Sequence, residues 1–463
     1  MTSATEQHAA PFAALSTQLT GGLFTPTHPE WDRARTGWNV AVDQRPAAVA
    51  EVADVADVVA VVRFAGQNGL YVAAQGTGHQ AATLGPRLAD TILIRTHRMR
   101  GLRIDAEART ARAEAGVLWG ELSAAAGEHQ LLGLAGSAAD VGVVGYTLGG
   151  GLSWLARKHG LAANAVVAAE VVTAAGEVLR VDDSEQPELL WALRGGGGSV
   201  AVVTALEFRL FEQPTVVAGA LFWPLDRAAD VVPVWERWTR DLPDDVTACI
   251  RLLQFPPLPD IPEPMRGNSF VVVEVVHAGD EADAQAIVAP LRALGPAMDT
   301  IATIPAPALA HLHMDPPGPV PGVGDGFVLD DLPAAAQTAL LSTAGPGSGS
   351  PLLSVELRTL GGALRRPAPS GGAMSSVPGR FLFYSVGIAP DPASQGAVLA
   401  HIELVRESLS AWANPHSCMG FTEHAVDPST FFADTDLARL RAAKAAHDPH
   451  GRIRTGHLVT VLD

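Results

Sequence analysis

A glycine loop that contains a histidine is the first feature of the sequence whose residues could bind a ligand or take part in a reaction. Residues 76–81 read GTGHQA and follow a short apolar stretch at 70–74 that predicts a buried strand. Successive residues without bulky side chains let backbone N–H groups converge on an anion, so this loop could bind phosphates. His79 would then lie beside the bound nucleotide. Taken alone, the loop is more typical of an ordinary glycine turn with a solvated histidine.

The loop also matches the G-x-G-x-x-G/A fingerprint of dinucleotide-binding Rossmann domains. That fold requires a helix that begins within the glycines and carries the pyrophosphate at its N-terminus. Residues 82–86 read ATLGP, which interrupts a helix, and the next predicted strand begins at residue 91. A helical crossover between parallel strands does not fit this gap. The pattern therefore disfavours an NAD-binding Rossmann domain.

The surrounding elements predict an α+β fold rather than a regular βαβ alternation. Apolar residues at helical spacing predict a helix over 47–69, ending at Asn68-Gly69. Further strands, helices and a hairpin are expected at 91–95, 102–104, 110–114, 117–130 (helix), 166–180 (hairpin turning at Ala175-Gly176), 187–193 (helix), 200–211 and 437–446 (helix). After Pro214 the chain alternates apolar strands with amphipathic helices and proline-rich loops up to residue 414. This change predicts a second domain built on an antiparallel sheet.

Three segments in this order resemble a known family. They are GTGHQ at 76–80, the glycine-rich run 136–151, and PELLWALRGGGGSVAVVT at 187–204. The combination is similar to the berberine-bridge-enzyme-like flavoproteins of the vanillyl-alcohol-oxidase superfamily, and most of all to the bacterial 6-hydroxy-D-nicotine oxidase type. The resemblance implies a PCMH-type FAD-binding domain in two parts, 36–213 and 415–463, around a substrate domain at 214–414. Residues 1–35 would form an N-terminal segment.

In this family the histidine of the first glycine loop bonds covalently to the 8α-methyl carbon of FAD, and His79 stands at that position. Many relatives add a second bond from a cysteine, but Ala138 occupies that place, which implies a single histidyl link. The resemblance assigns FAD contacts to a set of loop residues and to the adenine-side strand. They are Gly76, Thr77, Gly78, His79, Gln80, Gly136, Ser137, Val141, Gly142, Gly145, Gly149, Gly150, Gly151, Asn164, Val172 and His457.

Candidate catalytic residues come from the predicted substrate domain and from the second glycine segment. Strand alternation puts Glu356 and Arg358 on one face, and a carboxylate pointing at the flavin could act as a base. We expect partial desolvation to raise the pKa of Glu356 toward neutrality. The alternative is an exposed Glu/Arg pair on a strand surface. Tyr384 could line the pocket, and Tyr146, which replaces a family histidine, is the next candidate base. The stretch 412–421 lacks the tyrosine that serves plant relatives.

The resemblance implies an FAD-dependent oxidase that acts on a small organic substrate, such as an alcohol, an amine or a secondary metabolite. Oxygen would be the acceptor and hydrogen peroxide the product. In relatives a valine three residues after the cysteine position admits oxygen to the flavin, and Val141 stands there. Two alternatives remain open at this point. One is an oxygenating flavoenzyme of natural-product biosynthesis, and the other is a flavin-binding protein without catalysis.

Composition excludes several other classes of protein and partner. Hydrophobic residues make up 48% of the 463 residues and charged residues 17%, which predicts well-buried cores. The net charge of −17 disfavours nucleic acid as a partner. No long uncharged apolar stretch or leader-like N-terminus is present, so a cytoplasmic protein without membrane association is expected. The two cysteines, Cys249 and Cys418, predict neither a disulfide framework nor a metal site, and both are expected to be buried.

Overall fold

A computed structural model describes residues 9–460 except 260, 262 and 458. Its first sheet has four strands in the order β1-β2-β4-β3, of which β2, β4 and β3 are parallel and β1 is antiparallel. Helix α3 crosses from β2 to β3 and packs its valines against this sheet. The elements are α1 Ala9–Ser16, β1 Gly22–Phe24, α2 Trp31–Arg35, β2 Ala48–Glu51, α3 Val55–Gln67, β3 Tyr71–Gln75, α4 Ala81–Leu84 and β4 Thr91–Arg95.

The predicted helix over 47–69 is wrong in its first part. Residues Ala48–Glu51 form strand β2, and all four are buried because the strand lies inside the sheet. A strand buried on both faces is a continuous apolar run, which sequence periodicity does not distinguish from a buried helix. The helix begins only at Val55, where the Asp54 side chain caps it by accepting a hydrogen bond from the Asp57 N–H.

The second sheet is antiparallel, with its strands in the order β5-β6-β10-β8-β9. The hairpin predicted over 166–180 is confirmed by the pairing of Val172 with Val178, and the helix predicted over 187–193 has those bounds. A two-stranded ribbon pairs β7 with β11. The elements are β5 Leu102–Asp105, β6 Thr110–Glu114, α5 Trp119–Gly127, β7 Leu131–Leu132, α6 Val143–Leu148, α7 Ala156–His159, β8 Val166–Val172, β9 Val178–Asp182, α8 Pro187–Leu193, β10 Val202–Arg209 and β11 Phe211–Glu212.

The third sheet has eight strands and is antiparallel throughout, in the order β15-β12-β14-β13-β18-β19-β17 with β16 beside β12. Four helices pack on one of its faces and bury alternate apolar residues such as Ile250, Val273 and Leu357. The elements are β12 Thr215–Pro224, α9 Ala228–Trp238, β13 Val246–Gln254, β14 Ser269–His277, α10 Glu281–Arg292, β15 Met298–Asp299, β16 Ala302–Pro305, β17 Gly322–Leu329, α11 Ala334–Ala344, β18 Ser354–Thr359, β19 Phe381–Ile388 and α12 Pro392–Leu409. The predicted helix-flanked antiparallel sheet is confirmed.

The opposite face of the third sheet lies against the glycine-rich loops of the first part of the chain. Cys249 and Val276 from this face share an apolar cluster with Trp154 and Leu155. Both cysteines are buried and unpaired, as the sequence predicts. The same face also carries the buried charged side chains of Arg251, Glu274, Glu356 and Arg358.

The end of the chain returns to the first sheet. After helix α13, Asp434–His447, the Val72 N–H donates to the Arg452 carbonyl over 2.9 Å and the Arg454 N–H donates to the Val72 carbonyl over 2.8 Å. Lys444 anchors this return, because its buried ammonium group donates to the carbonyls of Ser199 and Ile453 and to Asp448. Within the described part of the chain, every helix is too short or too polar to cross a membrane.

Candidate active site

The imidazole of His79 is held on three sides. The Thr77 hydroxyl lies 2.7 Å from its Nδ1 atom, and the indole ring of Trp38 stacks on it with centroids 4.1 Å apart. On the third side, an oxygen of Asp140 lies 3.5 Å from Nε2. The same carboxylate accepts a 2.6 Å hydrogen bond from the Trp38 indole N–H. The imidazole therefore has a defined orientation.

Glycine at position 78 permits this arrangement. Gly78 has a φ of +86°, and a Cβ there would lie 2.8 Å from the Cα of Gly37. The two chains are this close because the Trp38 N–H donates to the Thr77 carbonyl over 2.8 Å. A side chain at position 78 would both strain the backbone and displace the segment that carries Trp38.

The glycine loops meet around Met419, which no sequence motif indicated. The Gln80 amide donates to the Met419 carbonyl over 2.9 Å. A Cβ added to Gly197 would lie 3.0 Å from the Met419 sulfur, and one added to Gly149 would lie 4.0 Å from it. The first glycine loop, the run 149–151 and the run 195–198 thus lie around one short C-terminal segment.

The second glycine segment lies close to the first. A Cβ on Gly142 would be 3.8 Å from the Thr77 methyl group, whereas a Cβ on Gly145 would meet nothing within 4 Å. The Ser137 hydroxyl donates to Asp315 over 2.8 Å, and Val141 is half-buried against the neighbouring core. The second glycine segment thus lies against Thr77 of the histidine loop at Gly142, and position 145 is open.

Tyr146, a candidate catalytic residue, fills the space between two of the predicted cofactor residues. Cβ atoms added to Gly136 and Gly151 would lie 3.1 and 2.6 Å from its ring. Its hydroxyl donates to the Leu134 carbonyl over 3.0 Å, and burial raises the pKa of the phenol above its ordinary value. This environment favours a neutral tyrosine that shapes the loops, while its role as a base stays a prediction.

Three predicted cofactor residues lie outside the glycine segments. Asn164 is buried and donates to the Ser375 carbonyl over 2.9 Å, and its own side-chain oxygen has no hydrogen-bond partner. Val172 is fully buried at the end of β8. The His457 Nε2 atom lies 3.1 Å from the Thr422 carbonyl, and burial lowers the pKa of this imidazole to about 4. His457 is therefore neutral near pH 7.

The polar face of the third sheet carries a buried ion cluster. Arg251 lies 3.0 Å from Glu274 on the neighbouring strand, and Arg358 lies 3.1 Å from Glu356. His313 joins the two pairs, with Nδ1 2.7 Å from Glu274 and Nε2 2.9 Å from Glu356. All five side chains are buried.

This cluster contradicts the expected electrostatics of Glu356. Burial alone would raise the pKa of Glu356, but the charges of Arg358 and His313 outweigh burial and lower it to about 2. The sequence pattern indicates desolvation of this carboxylate but not the cations that the fold brings to it. The expected rise toward neutrality is wrong. The alternative of an exposed strand pair is wrong as well, because Glu356 and Arg358 are 3% and 2% exposed.

Arg358 lies between two aromatic rings as well as beside Glu356. Its guanidinium carbon is 4.6 Å from the centroid of the Trp154 ring and 5.5 Å from that of Phe421. Cation–π contact and the ion pair both favour the charged form, so the pKa of Arg358 is raised although burial opposes this. Through Phe421 the cluster reaches the C-terminal segment around which the glycine loops meet.

A second carboxylate, which the sequence analysis missed, lies next to Tyr384. The Tyr384 hydroxyl donates to Glu423 over 2.5 Å. Tyr384 pairs with Glu356 in the register of β18 and β19, and its hydroxyl occupies the space where a Cβ of Gly324 would be. Burial raises the pKa of Glu423 to about 7. No motif marks Glu423, because its significance depends on a partner on another strand.

Comparisons with known proteins confirm the resemblance. Residues 46–182 match the model of an FAD binding domain. The chain is 33% identical to (R)-6-hydroxynicotine oxidase of Paenarthrobacter nicotinovorans over 210 residues, 44% of this chain and 45% of that protein. It is 26% identical to chitooligosaccharide oxidase of Gibberella zeae, over 92% of this chain and 89% of that one. The first three curated relatives are matched over about half of their length, 45%, 53% and 53%.

Solved structures share the fold over nearly the whole chain. The structure superimposes on Physcomitrella patens BBE-like 1 with a TM-score of 0.85 and 19% identity, covering 98% of this chain and 99% of that one. Phl p 4.0202, a glucose dehydrogenase, has a TM-score of 0.82 and 18% identity, covering 98% of this chain and all of that one. An isoleucine-to-valine variant of Phl p 4, with the same score, identity and coverage, is described as a glucose oxidase.

Proposed function

We propose that this protein is an oxidase that carries FAD on His79 through a single histidyl bond. One observation carries the proposal. Within the part of the chain that matches an FAD binding domain, a glycine loop holds a histidine in a fixed orientation, and the second glycine segment lies against the same loop at Gly142. The alanine at position 138 supports a link without cysteine. Cys249 lies in an apolar cluster against the third sheet, and burial raises the pKa of the Cys418 thiol to about 11, which disfavours the reactive thiolate.

The chain's own residues bind and orient the cofactor. Backbone amides of 76–80 and 149–151 would hold the phosphates, because glycine lets the backbone approach closely. Asn164, Val172 and His457 would border the remaining parts of the cofactor. When bound, FAD would take two electrons from the substrate and pass them to oxygen, which yields hydrogen peroxide.

Oxygen access would be controlled at Val141. The family resemblance places the oxygen gate at this position, with valine as the permissive residue. The two Phl p 4 proteins support such a gate. The wild type is described as a glucose dehydrogenase, and its isoleucine-to-valine variant is described as a glucose oxidase. One methylene can close a channel about one atom wide in a close-packed site.

The substrate proton has two candidate acceptors. The sequence assigns this role to Glu356, but its charge is already neutralised by Arg358 and His313. The geometry favours Glu423, which would receive the proton through the Tyr384 hydroxyl over a 2.5 Å hydrogen bond. A base is most effective when its pKa lies near the working pH, and Glu423 fulfils this condition better than Glu356.

The substrate would be a small organic molecule that loses hydride and a proton, namely an alcohol, an amine or a secondary metabolite. The relatives are named for a hydroxylated nicotine and for chito-oligosaccharides, so both an amine and a carbohydrate alcohol belong in the test panel.

The experiment is acid precipitation of the purified protein, followed by peptide mapping and assays for peroxide. The precipitate should stay yellow, and the flavin peptide should contain His79. His79→Ala should lose the acid-stable colour, whereas a change of the exposed His129 to alanine should not. Acid-stable flavin in the His79→Ala protein would refute the link. Labelled oxygen recovered in the organic product, rather than in peroxide, would identify an oxygenating enzyme instead.

A further inference from the structure

We propose that Asp140 is the proton acceptor that enables FAD to bond to His79. This inference rests on the proposed histidyl link and concerns how that link forms. Asp140 contacts the reacting imidazole directly, since its Oδ1 atom lies 3.5 Å from Nε2. Its other oxygen is fixed by the 2.6 Å hydrogen bond from Trp38, the residue whose ring covers the imidazole.

The arrangement distinguishes the two ring nitrogens. The Nε2 atom is enclosed and makes no hydrogen bond, while the His79 side chain as a whole remains 21% exposed. The exposed part of the ring therefore lies away from Nε2. A carboxylate facing a ring nitrogen favours the tautomer with the proton on that nitrogen. Nε2 would carry the proton, and Nδ1, now 2.7 Å from the Thr77 hydroxyl, would present its lone pair to the flavin.

Asp140 is charged in this setting. Burial alone would raise the pKa of Asp140, but the neighbouring His79 and Trp38 outweigh it and lower the pKa below its ordinary value. The side chain is 29% exposed, so a proton received from the imidazole can pass on to water. A charged acceptor at Nε2 makes Nδ1 a stronger nucleophile, as a carboxylate does for other active-site histidines.

In the attachment step, a bond would form between Nδ1 and the 8α carbon of FAD while a C–H bond of that methyl group breaks. The methyl proton and the Nε2 proton are released, the latter to Asp140. Two electrons remain on the flavin, which with two protons becomes the reduced form. Molecular oxygen then removes two electrons and two protons, and this gives oxidised, covalently bound FAD and hydrogen peroxide.

The test measures the rate at which FAD becomes covalently attached, rather than the rate of substrate oxidation. Full-length protein prepared without flavin is mixed with FAD in air, and the acid-stable flavin is measured over time. Non-covalent binding is measured separately by quenching of flavin fluorescence. In Asp140→Asn we expect attachment to be about a hundredfold slower, with FAD binding changed by less than about threefold. Trp38→Phe keeps the stacked ring but removes the donor that fixes Asp140, so an intermediate rate is expected.

Two further variants test whether the effect is specific to the carboxylate of Asp140. Asp105→Asn changes a half-buried acid at the end of β5, in the same half of the chain, and should attach FAD at the normal rate. Asp140→Ala should recover part of its rate when formate is added, because a small carboxylate can enter the vacated position. A purely structural role for Asp140 would give no such rescue.

The outcomes separate the two proposals. Wild-type protein without acid-stable flavin refutes the histidyl link and the role of Asp140 with it. Acid-stable flavin that forms equally fast in wild type and in Asp140→Asn leaves the link standing and refutes the role of Asp140. Slow attachment with intact binding and rescue by formate supports both.

Discussion

The imidazole of His313 lies 2.9 Å from a carboxylate oxygen of Glu356. The contact joins a loop that follows β16 to the centre of the third sheet, and the same imidazole reaches Glu274 on a different strand. His313 therefore neutralises Glu356, the carboxylate that the sequence predicts as a base. The contribution of His313 to the stability of the fold can be measured directly.

The pH dependence of stability should reveal the charge on His313. Burial and Arg251 lower the pKa of this imidazole, but Glu274, Glu356 and other acids outweigh them and raise it to about 9. The unfolded value is about 6.5. Because the folded pKa is the higher one, the stabilisation is fully present below about pH 6.5 and is lost as the pH rises through about 9.

The measurement is urea unfolding of wild type and His313→Ala at pH 6.5 and at pH 9.5. Removing one partner of a buried ion pair costs about 3–5 kcal/mol, so we expect a loss of that order at pH 6.5 and a smaller loss at pH 9.5. The exposed His129→Ala should show no such dependence. A difference that is constant across this range would mean that His313 is neutral in the cluster.

Replacement of Glu423 should slow substrate oxidation. Glu423→Gln keeps the shape of the side chain and its contact with Tyr384 but removes the basicity. The rate constant of flavin reduction should fall by about a hundredfold, with reoxidation nearly unchanged. Tyr384→Phe should have a comparable effect because it breaks the path to the carboxylate.

The pH profile distinguishes Glu423 from Glu356. A base must be deprotonated, so with Glu423 the wild-type reduction rate should fall as the pH drops below about 7. With Glu356 the rate would persist far into acid, since its pKa is about 2. Stopped-flow reduction from pH 5.5 to 8.5 separates the two cases. Loss of the acidic limb in Glu356→Gln, but not in Glu423→Gln, would restore Glu356 as the base.

Enlarging Val141 should act on oxygen rather than on substrate. Val141→Leu adds one methylene to a half-buried side chain beside the second glycine segment. We expect reoxidation of the reduced protein to slow by about tenfold or more, with reduction changed by less than about twofold, because overpacking is felt in a close-packed site. Val141→Ala is the control and should not slow reoxidation. Equal effects on the two half-reactions would place the gate elsewhere.

Lys444 should stabilise the return of the chain to the first sheet. Lys444→Met leaves the buried Asp448 carboxylate without its cation and two carbonyl groups without their donor. We expect a loss of about 3–5 kcal/mol in the free energy of unfolding. Arg227→Met, which breaks an exposed pair with Asp230, should cost no more than about 1 kcal/mol. Losses of similar size would show that burial of the Lys444 pair has little energetic importance.

Local patterns in the sequence predicted the parts of the fold that depend on neighbours along the chain. The strands at 91–95 and 110–114, the helix at 187–193 and the hairpin after Val172 have the predicted bounds or pairing. The glycine loop around His79 was also recognisable, because glycines at fixed spacing determine the local backbone. Strand β2 was mistaken for a helix because its complete burial depends on strands elsewhere in the chain.

The same distinction between local sequence and tertiary structure applies to the candidate site. The sequence determined by itself that His79 lies in a glycine loop, that an alanine stands at position 138, and that Glu356 shares a strand face with Arg358. Only the tertiary structure decided that His313 and Arg358 hold Glu356 in its charged form, and that Glu423 lies against Tyr384. The physical reason is that a pKa depends on every charge within a few ångströms. Those charges come from strands and loops far apart in the sequence, and folding alone brings them together.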